Sequence, residues 1–189
     1  LDKFFYFLIT IYFVSESNLH YSLVITYFLY SSFFYELFSL SLPKTFNILF
    51  KKYELQIFRA IVGTTFFIIC IFAFLTFITL LFENSLIESF FFNNWIYLFS
   101  IIMLGCSIAI NDLIDRYSFL DLKHNKIHFF NLSESLTLFI ILYFYLFFLE
   151  KFDIYLLILI FSFFKLFASV IKFLIFKQNI ILNILIIFK

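Results

Sequence analysis

The residues of this 189-residue chain with most chemical potential are two lysines, Lys165 and Lys172, set inside the apolar run Ile154–Phe176. An ionised side chain at the centre of a bilayer costs about 2.5–3.5 kcal/mol on insertion scales, so charge there is rare and marks ion paths or partner contacts. Seven residues make about two helical turns, so both lysines project from a similar helix face. Holding Lys165 at mid-span takes a partner carboxylate on another subunit or a water-filled path. The alternative is a tilted or displaced helix that lets both ammonium groups reach the headgroups. Lys165 and Lys172 are the intramembrane charge candidates.

The other ionisable groups offer less. His124 and His128 are four residues apart, which on a helix places both on one face, as metal ligands require. They lie in a polar stretch with no Cys or further carboxylate motif beside them, and solvent exposure is the expected state. Haem ligation takes histidines from facing spans, and only His20 lies even at a span's edge. Two widely separated glycines cannot form a phosphate-cradling loop. With no histidine deep in an apolar run, a nucleophile–base pair is unsupported. The chain is expected to be non-catalytic by itself, with no cofactor and no metal. Glu36 and Arg59 lie near span ends, where long polar side chains snorkel to the interface.

The elements that must position the lysines follow from composition. Hydrophobic residues make up 65% of the chain and charged residues 13%, with a mean hydropathy of +1.09. Soluble domains are about 45–50% apolar, so this chain belongs in a bilayer and nucleic acid is not an expected partner. Its 36 Phe against two Gly suggest A/T-rich codons and hence an organellar genome. Such a chain is hard to import, so synthesis inside a mitochondrion is the natural reading. No signal peptide is legible, since Phe4–Val14 has little basic flank beyond Lys3 and no small-residue cleavage site after it. Cys70 and Cys106 lie within apolar runs, where a thiol behaves as a small hydrophobe, and no disulfide is expected.

Charge-free stretches between Glu16 and Glu36, Arg59 and Glu83, and Glu88 and Asp112 are each long enough to cross about 30 Å. Phe4–Ser15 is short for a span, Ile154–Phe176 is the expected fifth, and Glu134–Leu149 is expected to be tilted, partial or interfacial, a sixth span if it crosses. The expected fold is an all-α polytopic transmembrane helix bundle, one membrane domain over residues 1–189. Residues 112–133 are expected as a polar matrix-side loop or interfacial helix. Lys44, Lys51 and Lys52 in one loop and Arg116, Lys123 and Lys126 in another put both on the matrix-like side, with the Lys- and Arg-free Glu83–Asn94 outside.

One position resists an explanation from spanning alone. Gly63 sits inside the longest apolar run, although glycine lowers helix propensity by roughly 1 kcal/mol relative to alanine.

Three segments, in order, resemble chain 6 of NADH:ubiquinone oxidoreductase, a membrane-arm subunit of respiratory complex I. Asn18-Leu19-His20-Tyr21-Ser22 opens the apolar run LVITYFLYSSFF, as Asn-Pro-x-x-Ser opens the family's second span. IVGTTFFIICIFAF stands where the family has Tyr-x-Gly-Ala-Ile and a Phe-rich stretch, with Gly63 at the glycine, Ile61 at the tyrosine and Thr64-Thr65 at Ala-Ile. NLSESLTLFIILYFYLFFL is similar to the family's Asn-Leu-Glu-x-Leu-Gly followed by Leu-Tyr-Thr-Tyr, through Asn131, Leu132, Glu134, Leu136, Leu142, Tyr143 and Tyr145. The resemblance implies a subunit supporting the coupling of NADH:ubiquinone electron transfer to proton translocation. Its partners would be other membrane-arm subunits and membrane lipids, and it would bind no flavin, iron–sulfur cluster or quinone itself. Gly63 becomes the coupling-helix candidate, on a helix that rotates or locally unwinds between states.

Two alternatives stay open. FFNLSESL also resembles the Phe-x-x-Ser-Glu segment of cytochrome c oxidase subunit III, a family with about seven spans. A non-catalytic structural membrane subunit of a respiratory supercomplex or an ATP synthase is the other.

Overall fold

The computed structural model describes residues 18–39, 45, 48, 51, 55–82, 94–120, 124–148 and 153–176. Within them lie five helices: α1 (Asn18–Ser39), α2 (Leu55–Phe82), α3 (Trp95–Leu120), α4 (His124–Phe148) and α5 (Ile154–Phe176). The fold is the expected all-α bundle of membrane type. The N-terminal run Phe4–Ser15, most of the loops Pro43–Glu54 and Glu83–Asn94, and the tail Gln178–Lys189 lie outside the described residues.

Among the described residues, three stretches are long and apolar enough to cross a bilayer: Ala60–Thr79, Trp95–Arg116 and Ile154–Ile175. α1 has 22 residues, about 33 Å at 1.5 Å per residue, but Thr26, Tyr27, Ser31, Ser32 and Tyr35 make it less apolar. Much of that polarity is satisfied locally. The Thr26, Ser31 and Ser32 hydroxyls donate to the carbonyls of Ser22, Tyr27 and Phe28, each one turn back.

The polar stretch 112–133 is neither one loop nor one interfacial helix. Its first part completes α3 as far as Leu120, and its last part opens α4 at His124. Asn111, Asp112, Asp115 and Arg116 can stay helical because neighbouring helices supply their partners. Glu134–Leu149, expected as a tilted, partial or interfacial helix, belongs as far as Phe148 to α4, whose apolar stretch Ile127–Ile141 is shorter than the three crossing stretches.

α3 and α5 start alike. The Asn94 carboxamide oxygen accepts the Ile96 and Tyr97 amides at 2.9 and 3.2 Å, and an Asp153 carboxylate oxygen accepts those of Tyr155 and Leu156 at 2.9 and 3.4 Å. Both satisfy amides that the first helical turn leaves without an intrahelical acceptor. The two helices then run parallel, with Tyr97 against Tyr155, Ser107 against Ser169 and Asp115 against Lys172. α1 runs the same way, since Thr26 meets Tyr97 and Tyr35 meets Asp112. α2 is antiparallel, with Phe77 near Phe99 and Phe66 stacked on Phe173 at a 3.7 Å ring separation. The alternating direction of α1, α2 and α3 therefore puts the end of α1 and the start of α2 at the same end of the bundle as the end of α3, the arrangement that two basic loops on one side require.

α3 is the most enclosed helix, buried at Tyr97, Leu98, Ile101, Leu104, Ile110 and Leu113. Its approach to α1 depends on one glycine. A Cβ at Gly105 would lie 2.8 Å from the Phe34 Cβ, 3.0 Å from the Ser31 carbonyl oxygen and 3.3 Å from the Tyr35 amide nitrogen. These atoms belong to or adjoin the α1 backbone, so no rotamer change relieves the overlap. Small residues at such contacts let helices in lipid approach closely, where packing and interhelical hydrogen bonds drive association. The Gly105→Ala variant is expected to lose about 1–3 kcal/mol of stability, measured as the unfolding midpoint in a detergent titration. An unchanged midpoint would show that α1 and α3 do not meet at Gly105.

Candidate functional site

Ser162, Lys165, Ser169 and Lys172 recur on α5 at intervals of three and four residues, which lines them along one face. On α3, Ser107, Asn111 and Asp115 recur every four residues and form a matching stripe. The stripes meet. Ser107 and Ser169 share a hydrogen bond at 3.1 Å, and the Asn111 amide donates to the Ser169 hydroxyl at 2.6 Å. The Lys172 ammonium donates to Asn111 Oδ1 at 3.2 Å and to Asp115 Oδ1 at 2.7 Å. Ser169 also donates to the Lys165 carbonyl one turn back.

α4 contributes the anion for Lys165. Ten residues, about 15 Å, into this helix, a Glu134 carboxylate oxygen accepts the Lys165 ammonium at 2.8 Å. The side chains of Lys165 and Glu134 are only 9% and 5% exposed. Lys165 is the twelfth of the 23 residues of α5, so the pair sits at mid-helix. Of the two readings open for Lys165, the carboxylate partner is the one found, and it lies within this chain instead of on another subunit. Lys172 is likewise paired, and it is buried instead of reaching out to headgroups.

Exposure rises from this pair toward the α3 C-terminus. The Lys172 side chain is buried while that of Asp115 is 48% exposed. Beside them Asp112 accepts from Arg116 at 2.8 Å through one oxygen and from the Tyr35 hydroxyl at 3.0 Å through the other. Asp112, Asp115 and Glu134 are thus matched by Arg116, Lys172 and Lys165. Five of these six groups, all but Arg116, line a cleft of about 440 Å³ together with Ser107, Asn111, Asn131, Ser135 and the apolar Leu104 and Ile108.

The other expected positions fall elsewhere. Gly63 is buried on α2 and does not line the cleft. His128 is exposed, and the side chains of His20, Arg59 and His124 lie outside the described residues. Among the described residues, no group of three or more His, Cys, Asp or Glu side chains is placed to hold a metal ion. Glu36 is exposed at the end of α1. Cys70 on α2 is half-buried and Cys106 on α3 is buried, both as free thiols.

Glu134, Asn111 and Asp115 are the residues that sequence reasoning missed as site members. The available signal was the pair of stripes, Ser162/Lys165/Ser169/Lys172 and Ser107/Asn111/Asp115. No protein-family model, curated protein or solved structure matches this chain. Fold and site together define an α-helical membrane protein with a charge-paired cleft reaching the middle of its bundle.

A buried ion breaks badly when one partner is removed, because the remaining charge keeps its desolvation cost without compensation. Glu134→Ala and Lys165→Met are each expected to lose about 3–5 kcal/mol, while the double variant Glu134→Leu/Lys165→Met recovers most of that loss. Detergent-unfolding midpoints for the three variants check this. Additive losses would show that Glu134 and Lys165 do not act as a pair.

Proposed function

We propose that this chain is a core membrane-arm subunit of NADH:ubiquinone oxidoreductase, respiratory complex I, in the mitochondrial inner membrane. In this role it supports the coupling of electron transfer to proton translocation and carries no cofactor of its own. The chain is non-catalytic alone and acts as part of the multi-subunit enzyme.

The observation that carries the reading is the Glu134–Lys165 pair, 2.8 Å apart, enclosed, and at mid-helix. Buried ion pairs are weak contributors to stability, and apolar residues of similar volume often replace them without loss. Ionisable groups held inside a membrane bundle mark ion and proton pathways by default. Glu134 is also part of the segment NLSESL, which resembles the complex I family. A coupling subunit supplies a reason for a charge at this depth that a purely space-filling subunit does not.

The surface supports a life among other membrane subunits and lipid. Leu29, Phe33, Phe74, Phe139, Phe163 and Phe167 are all exposed, and such apolar outward faces suit lipid tails or apolar helices equally. The positive-inside rule, applied to the two basic loops, supports a matrix-side position for the α3 C-terminal end of the bundle.

Native electrophoresis of mildly solubilised membranes tests the assignment. The chain is expected to comigrate with NADH dehydrogenase activity, and comigration with cytochrome oxidase or ATPase activity alone would sink it. Within the assembled complex, Gly63→Val is expected to lower quinone-linked proton pumping while sparing assembly. Unchanged pumping would refute a deformable α2.

A further inference from the structure

We infer that the cleft between α3, α4 and α5 is a one-sided, water-filled proton path that enters from the α3 C-terminal end and terminates at Glu134 and Lys165. The inference rests on the proposed coupling role only where proton pumping is measured. The path itself is a property of this chain.

Volume and wall chemistry argue for water. About 440 Å³ is room for on the order of ten waters. Apolar cavities stay dry, but this one has ionised and amide side chains on its walls, each able to hydrogen-bond a water. The gradient of exposure gives the direction. Among the carboxylates, Asp115 is 48% exposed at the mouth, Asp112 22%, and Glu134 5% at the end.

Among the described residues, the other half of the bundle is packed around Tyr27 and Ser162. Three residues along α5 from Lys165, the Ser162 hydroxyl is already shared with Tyr27 at 2.6 Å and bonded to the Ile158 carbonyl at 2.7 Å. Around Tyr27, the space left between Val24, Phe28, Leu157, Ile158 and Phe161 is about 10 Å³, at the threshold for a single water and apolar in character. Among the described residues, room for water at the middle of the bundle is found on the α3 C-terminal side of Lys165 and not around Tyr27.

The charge balance indicates which ion the path serves. Each of the three carboxylates on the cleft wall is paired, Glu134 with Lys165, Asp115 with Lys172 and Asp112 with Arg116 from outside the lining, so no charge is left over to hold a metal cation or an inorganic anion. A proton needs no such site, since it moves along waters and binds a carboxylate oxygen. In the step inferred here, a hydronium ion arriving along the cleft waters gives up one proton, which forms an O–H bond on Glu134 and leaves a neutral water. The Glu134 anion becomes a neutral acid, its ion pair with Lys165 is released, and nothing is oxidised or reduced.

Site-directed thiols read the path in native membrane vesicles of both orientations, with the parent chain giving the background from Cys70 and Cys106. A membrane-impermeant methanethiosulfonate is expected to label Asn131→Cys and Ser135→Cys at least tenfold faster from the matrix side than from the other. Ser162→Cys is expected to label no faster than the parent from either side. Failure of both cleft positions to label from the matrix side, or labelling of Ser162→Cys from the opposite side, would overturn the one-sided path. Assembly is checked by native electrophoresis, and these outcomes stand whichever complex contains the chain. In assembled complex I, Glu134→Gln is expected to lower protons translocated per NADH oxidised at least twofold while electron transfer persists, and Glu134→Asp to recover part of the loss. Full pumping in Glu134→Gln alongside labelled cleft thiols would leave a hydrated cleft without proton traffic and overturn the inference.

Discussion

A charge placed halfway through an apolar helix has to be met by an opposite charge or by water, and the arrangement of the last three helices follows from meeting that demand at Lys165. The carboxylate comes from Glu134, which requires α4 to return alongside α5 instead of lying flat at the interface. The ammonium of Lys172, two turns along, calls for a second anion, and Asp115 supplies it by keeping α3 helical beyond its apolar core. Polar residues that look like a loop in sequence are helix ends in the fold because the charges they face are on neighbouring helices.

Lipid changes which forces hold the bundle together. Exposed Phe and Leu side chains gain nothing by leaving acyl chains for one another, so helix association relies on close packing and on hydrogen bonds across interfaces. Both occur along α3. At Gly105 the missing side chain lets α1 approach to backbone contact. On its other faces hydroxyl, amide and carboxylate groups are bonded to α1 and α5, from Tyr97 with the Leu23 carbonyl to Asn111 with Ser169. α3 is the central helix because it combines these two kinds of contact.

The two glycines illustrate how far sequence reasoning reaches. Gly63 draws notice because it interrupts the longest apolar run, whereas Gly105 lies in an unremarkable LGCS context and is the one that meets a neighbouring backbone. Steric necessity at a glycine depends on what stands opposite, and Ser31 and Phe34 are more than seventy positions away in the chain. Lys165 and Lys172 were legible as candidates because their anomaly is local: charge within apolar surroundings. Their partners were not, since Glu134 and Asp115 lie in stretches polar enough to pass as interfacial.

By itself the sequence determined the helical membrane character, the approximate helix positions, the same-end placement of the basic loops and the anomaly of two lysines in one apolar run. Each of these rests on hydropathy and on the helical period, which are properties of neighbouring residues. Tertiary structure alone decided that Lys165 pairs with Glu134 across 31 residues and Lys172 with Asp115 across 57, and that a cleft of about 440 Å³ joins the pairs. Contacts at that separation depend on the rotation and vertical register of each helix against the others, which packing sets and no local pattern encodes.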